Sequence, residues 1–216
     1  MRHSVDGCGR ARLLEGCRVT DEQKCELERI QGMLKVRMKE KPRRYEHSLG
    51  VAQTAYDLAV TYGVDGYLAA AAGLLHDWDK VLADDELLAR AAQYGIHVSG
   101  SPSAAVGLLH GPVAAFELPQ IFPDLPADAW QAVARHTVGA KDMTSLDMVI
   151  FIADAIEPHR RGNYAEALRA QVGEVSLEEL FFQCFAQGLA YVISGGRYLY
   201  PTAVDIYNAY AVKRGR

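Results

Sequence analysis

An all-α bundle is the fold class predicted for this chain, on three observations. Apolar residues recur at helical spacing along most of the sequence, no stretch shows the strict alternation of a half-buried strand, and Gly and Pro fall where one apolar stripe stops and the next begins. With 216 residues, half of them hydrophobic and 23% charged, the chain can bury one sizeable core. It contains no low-complexity tract and no repeat of roughly 20 to 50 residues. One main domain is expected over residues 21–216. Residues 1–20, rich in Gly, Arg and polar side chains without periodicity, read as a mobile extension.

The first helix should open at Thr20 or Asp21, either of which can cap it, and run to about Lys39 before Pro42. From Arg44 onward Val51, Ala55, Leu58 and Tyr62 form a stripe that also carries His47, and Gly63 stops it, so His47 points inward. Asp65 to His76 follows, with small Ala69, Ala72 and Gly73 on the face of His76, which lets a neighbouring helix pack closely. An amphipathic helix over Asp84–Tyr94 and a loop over Gly95–Ser101 lead to Pro102, after which one helix is predicted over Ser103–Leu118 with His110 inside it. Pro123 and Pro126 separate it from Asp128–Thr137, where Ala129, Ala132, Val133 and His136 share a face. Thr144 and Asp147 have the spacing of a capping box; the helix they open carries Leu146, Ile150 and Asp154 on one stripe and ends at Pro158. Ser176–Ser194 and Pro201–Lys213 complete the set.

A formal net charge of -4 and a pI near 6.0 give no overall attraction to nucleic acid or to an anionic membrane. The N-terminus lacks the apolar core of a signal peptide, and no apolar run approaches the ~20 residues that span a bilayer. A cytoplasmic protein without nucleic-acid or membrane partners is expected. Cys8, Cys17, Cys25 and Cys184 form no Cys-x-x-Cys pair and read as free thiols. No Gly-rich loop followed by Lys-Ser/Thr is present, which argues against a P-loop mechanism.

The chemistry is carried by His47, His76, Asp77, His110, His136 and Asp154. Any one of these histidines, on an apolar helix face, is explained as a core residue bonded to a carbonyl. The aspartates are not, because an ionised carboxylate in an apolar setting needs a cation or several donors to offset its desolvation. A divalent metal ion answers both, since imidazoles and carboxylates ligate iron, manganese and zinc. His76 and Asp77, ~100° apart in azimuth, can both reach an ion held between helices, and Asp77 can bridge two. Lys80 alone would read as a solvated helix-end charge; beside a bound polyphosphate it and the planar guanidiniums of Arg44 and Arg160 become phosphate contacts. Trp78 reads equally as packing or as base recognition.

The order His47, His76-Asp77, His110, His136, Asp154 resembles the HD-domain metal-dependent phosphohydrolases. The surrounding motifs, Arg44-x-x-His47-Ser48-Leu49-Gly50, Gly73-Leu74-Leu75-His76-Asp77-x-x-Lys80, His110-Gly111-Pro112, Arg135-His136-Thr137 and Asp154-x-Ile156-Glu157-Pro158-x-Arg160, look like the YqeK-type group, which hydrolyses bis(5'-nucleosyl) tetraphosphates symmetrically at an iron site. The resemblance implies an HD-type helical bundle, a divalent metal, most simply iron with manganese or another transition metal as alternatives, and a nucleotide as the partner; a homodimer stays open. It implies that His47, His76, Asp77 and Asp154 hold the metal, joined by His110 and His136 if a second ion binds. Asp77, Lys80, His110 and His136 are the expected catalytic residues. Arg44, His47, Asp77, Trp78, Asp79, Lys80, His110, His136, Thr137, Asp154 and Arg160 should line the substrate, with Arg197, Tyr200 and Thr202 as a looser C-terminal match. The implied product of diadenosine tetraphosphate is two ADP. An HD phosphohydrolase acting on other nucleotides, and a silent nucleotide-binding module, are the alternatives.

Overall fold

The computed structural model describes residues 17–215; of the extension expected over residues 1–20, residues 1–16, Cys8 among them, lie outside the described residues. Among the described residues, eleven α-helices, one short 3-10 turn and no strand make up the fold. Helix α1, Asp21–Arg37, opens on a capping box in which the Thr20 side chain accepts from the Gln23 N–H at 3.2 Å and Gln23 accepts from the Thr20 N–H at 3.0 Å. Helix α2, Pro42–Tyr62, has proline in its first turn, where a missing N–H costs nothing, and stops at Gly63, whose φ of 70° is left-handed. Asp65 caps α3, Gly66–Leu75, and α4 spans Asp84–Gln93.

Helix α3 is the hub. Every residue from Ala69 to Leu75 is buried, and α1, α2, α7 (Ala127–Arg135) and α8 (Ser145–Ile156) pack around it. Its run of alanines makes this possible, because a helix enclosed on several sides needs small side chains to admit neighbouring backbones. The closest approach is at Gly73, where a Cβ would lie 2.7 Å from Ala52 Cα of α2. Gly73→Ala should therefore push α2 and α3 apart, lowering stability by about 1–3 kcal/mol in urea titration. An unchanged midpoint would mean that the crossing has slack.

The segment predicted as one helix over Ser103–Leu118 is broken. It forms α5 (Pro102–Ala105), a 3-10 turn (Val106–Leu108) and α6 (His110–Ile121), so His110 starts a helix instead of lying inside one. Two residues explain the break. Pro112 has no N–H for the carbonyl of Leu108, four residues back, and that carbonyl instead accepts the Thr137 hydroxyl at 3.3 Å. Gly111 lies against α7, where a Cβ would meet the Val133 carbonyl at 2.7 Å. Leu87 and Ala91 of α4 pack with Leu109 and Val113 in a small separate cluster that supports this broken segment.

Helix α8 opens on the Thr144–Asp147 capping box and ends before Pro158. A short helix not anticipated from the sequence, α9 (Asn163–Arg169), follows it, then α10 (Leu177–Ser194) and α11 (Pro201–Arg214). Phe181 and Phe185 of α10 pack against Phe151, bracing the helix that carries Asp154. Among the described residues no helix is long and apolar enough to cross a membrane, and Cys17, Cys25 and Cys184 are free.

Candidate metal centre

Five helices deliver six side chains to one point: His47 from α2, His76 and Asp77 from the end of α3, His110 from the start of α6, His136 from the end of α7 and Asp154 from α8. The C-terminal carbonyls of a helix have no partner within it. His76 and His136 occupy the two C-cap positions, and each donates Nδ1–H to such a carbonyl: His76 to Gly73 and His136 to Val133, both at 2.7 Å. His110 donates likewise to the Gly107 carbonyl at 3.0 Å. His47, inside a helix whose carbonyls are already used, donates Nδ1–H to the Glu157 carboxylate at 3.1 Å. Since carbonyl and carboxylate oxygens only accept, all four imidazoles turn Nε2 towards the centre.

Those Nε2 atoms meet. His47 and His76 are 3.3 Å apart and His110 and His136 3.0 Å apart, while the two Asp77 oxygens divide between the pairs. Asp77 Oδ1 lies 2.9 Å from His110 and 3.9 Å from His136; Oδ2 lies 3.4 Å from His76 and 3.8 Å from His47. Asp154 Oδ1 is 3.0 Å from His47 Nε2 and 3.9 Å from His76 Nε2. Nitrogen lone pairs and carboxylate oxygens at such separations repel unless a cation or protons stand between them. The donor set, imidazole with carboxylate, fits a divalent transition metal. Two groups, His47 with His76 and Asp154, and His76 with Asp77 and His136, have spacings able to hold an ion.

The tightening of the chain after α3 explains how adjacent residues both serve. From Leu75 onward the backbone bonds run i to i+3, with Trp78 N–H to Leu75, Lys80 N–H to Asp77 and Leu82 N–H to Asp79. Residues three apart then eclipse, so Lys80 follows Asp77 to the same side, its ammonium donating to the Gly107 carbonyl at 3.1 Å and lying 3.2 Å from His110 Nδ1. Trp78 and Asp79 turn the other way. Trp78 packs edge-on against Phe122 with Arg37 over its face, and Asp79 is fully buried in an ion pair with Arg37. Burial raises the Asp79 carboxyl to about 6 despite that guanidinium. Neither residue presents surface to a nucleotide in this structure.

Arg44 donates to Asp77 Oδ2 at 2.8 Å, and Arg160 grips Asp154 through both its carbonyl at 2.8 Å and Oδ1 at 2.6 Å. Both cations are partly exposed, placing positive charge at the mouth of the centre. Thr137 faces the Leu108 carbonyl as described. Arg197 lies over the Tyr191 ring, and the Tyr200 hydroxyl accepts the Ser99 N–H at 2.9 Å, while Thr202 opens α11. The structure thus ties the C-terminal segment to the loop before α5. Glu157, which the sequence reading assigned no role, is buried beside His47. An acid buried at the end of an apolar helix needs a partner, as Asp154 does, and that requirement is the signal in the sequence that points to Glu157.

Burial lowers the basicity of His47, yet Asp154 and Glu157 outweigh it and lift this imidazole to about 9. Burial, reinforced by charge at His110 and His76, drives His136 down to about 3. Burial would raise Asp77 and Asp154, but the neighbouring imidazoles, joined at Asp154 by Arg160, hold both well below the usual carboxylate range. Because an ion at His47 Nε2 must displace a proton below about pH 9, manganese affinity should rise about tenfold per pH unit up to that point and then flatten. His136, neutral throughout that window, should add nothing to the slope. Chelator-competition titrations at stepped pH measure it, and a flat profile would rule out His47 as a ligand.

The HD domain family model matches residues 44–159, which include all six of these side chains. A protein of Halalkalibacterium halodurans named bis(5'-nucleosyl)-tetraphosphatase, symmetrical, is 30% identical over 169 residues, covering 76% of this chain and 87% of that one. A protein of the same name from Staphylococcus aureus is 30% identical over 187 residues, covering 85% and 94%. The crystal structure of a "predicted HD superfamily hydrolase involved in NAD metabolism" from Clostridium acetobutylicum superposes with a TM-score of 0.78 at 30% identity, over 86% of this chain and 97% of that one. A match over more than half of the sequence, ending on the turn that carries Glu157 and His159, places the convergence of helices and the divalent-metal donor set within one inherited unit: the chain belongs to the HD domain family.

Proposed function

We propose that the protein is a divalent-metal-dependent phosphohydrolase that cleaves dinucleoside tetraphosphates symmetrically, turning diadenosine tetraphosphate and water into two ADP. The observation that carries this reading is the convergence of four Nε2 atoms and two carboxylates beneath the cationic rim of Arg44, Lys80 and Arg160. The names of the relatives from Halalkalibacterium halodurans and Staphylococcus aureus support the substrate class. His47, His76, Asp77 and Asp154 would hold one ion, and Asp77 Oδ1 with His110 and His136 would complete a second site. Iron suits this imidazole-rich set, and manganese is the nearest substitute.

When bound, the metal supplies Lewis acidity, which polarises a phosphoryl oxygen and makes water nucleophilic at neutral pH. The chain's own residues do the rest. Arg44 and Arg160, with planar forks, bind and orient the phosphates, and Lys80 neutralises charge beside His110. Water adds to the phosphorus next to the central bridging oxygen; the bond from that phosphorus to the bridge breaks, and ADP departs. Where a single ion is held by His47, His76, Asp77 and Asp154, Nε2 of His110 carries no metal and, kept without a proton at neutral pH by burial, can take the proton of the attacking water; His136, which burial holds at about 3, can only accept a hydrogen bond from that water.

Product analysis tests the reading. Protein purified without oxygen and assayed for metal content should convert diadenosine tetraphosphate to ADP alone. AMP with ATP, or no turnover beside a panel of nucleoside mono-, di- and triphosphates in which one is consumed, would overturn the symmetrical assignment.

A further inference from the structure

Three of the four central imidazoles fix their tautomer on a carbonyl of their own segment, three residues back, whereas His47 depends on a side chain 110 residues away in sequence. That side chain, Glu157, is 1% exposed and sits just past the last turn of α8. Its two oxygens are both engaged. Oε1 accepts His47 Nδ1–H at 3.1 Å; Oε2 accepts the His159 backbone N–H at 2.7 Å and faces His159 Nδ1 at 3.0 Å.

The surroundings are shaped to receive this carboxylate. Gly50 lies one turn beyond His47 on α2, and a Cβ there would stand 2.6 Å from Glu157 Oε2. Only bare backbone leaves the space. On the other side Arg169 of α9 donates to the carbonyls of Ile156 at 2.7 Å, Glu157 at 2.6 Å and Arg160 at 2.7 Å, pinning the turn from which the carboxylate projects. Helix α9 thereby acquires a task.

We propose that Glu157 is a positioning residue of the metal centre: through His47 Nδ1 it holds that imidazole with Nε2 towards the ion and makes it the strongest nitrogen donor of the four. A carboxylate behind a ligating imidazole fixes the ring and raises its basicity, and loss of such a partner typically weakens metal binding about 10- to 100-fold. A carbonyl partner orients equally well but carries no full charge, so the other three imidazoles lack the second effect. Gly50 and Arg169 serve the same end, one by leaving room and the other by fixing the backbone.

The inference rests on the metal-centre reading, and the experiment separates the two. Manganese affinity is measured by chelator competition on the full chain, wild type, Glu157→Gln and Gly50→Ala, with thermal melting of each metal-free form as a control for folding. The proton resonance of His47 Nδ1–H is followed in zinc-loaded samples. Glu157→Gln should bind manganese about 10- to 100-fold more weakly and shift the His47 resonance upfield. Gly50→Ala, which changes no polar group, should displace the carboxylate and weaken binding in the same direction, so the proposal stays testable even if Glu157→Gln fails to fold. A wild type that binds no manganese overturns the metal-centre reading and this inference with it. A wild type that binds while both folded variants keep its affinity and resonance overturns the inference alone.

Discussion

Replacing Asp77 by alanine should abolish both the metal content and the hydrolytic activity of the protein. Of the six central side chains, Asp77 has an oxygen on each side of the centre, Oδ1 beside His110 and Oδ2 beside His76 and His47. Its removal takes a carboxylate oxygen away from either pair and leaves the Arg44 guanidinium facing imidazoles instead of an anion. Loss of the Lewis acid forfeits several kcal/mol of transition-state stabilisation, or ~10³-fold in rate at the least. Asp77→Asn, which keeps the shape and removes the charge, should fall nearly as far. Elemental analysis and product formation measure the two effects together, with melting of the metal-free protein as a check on folding. Retained metal and turnover in Asp77→Ala would sink the ligand assignment.

Stripping the ion with a chelator should stop turnover and also lower the melting temperature. An ion that binds only the folded chain stabilises it by about 2.7 kcal/mol when present at ~100 times its dissociation constant. In a domain of this size that corresponds to roughly 5 to 10 °C. The effect has a local cause: five helices meet at the centre, and their Nε2 atoms and carboxylates, 2.9 to 3.9 Å apart, repel unless a cation or protons stand between them. Differential scanning calorimetry before and after chelation, then after addition of manganese or ferrous ion, measures the shift. Identical melting with and without metal would place the ion elsewhere.

Helix starts and stops were legible in the sequence wherever their cause is local. A cap at Thr20, one of the two residues the sequence offers there, the Thr144 capping box, the Gly63 stop and Pro158 act within a few residues, and the structure has them where the pattern predicts. The break between α5 and α6 was not legible, because it depends on Gly111 meeting Val133 and on Thr137 taking the carbonyl that Pro112 leaves free. Those partners are distant in the chain. The six central side chains share a motif that can be read along the chain, and the structure brings all six together. Trp78 and Asp79 stand beside Asp77 in sequence, but the 3-10 tightening after Leu75 turns them to the opposite side, against Arg37. Helix α9 is too short and too polar on its surface to signal itself by periodicity, and its contribution, the Arg169 contacts with three carbonyls, involves no motif at all.

The tethering of His76, His110 and His136 to main-chain oxygens bears on how this centre can change over evolutionary time. Every amino acid carries a carbonyl, so substitutions at Gly107 or Val133 that preserve the backbone leave His110 and His136 oriented as before, and the carbonyl that orients His76 belongs to Gly73, whose place the packing of α2 already fixes. His47 alone leans on a group that a single base change can remove or alter. Drift and selection can therefore retune the affinity of the centre through one position while the remaining geometry is inherited intact. Among diverging descendants of this fold, metal preference should vary with the residue behind that one imidazole.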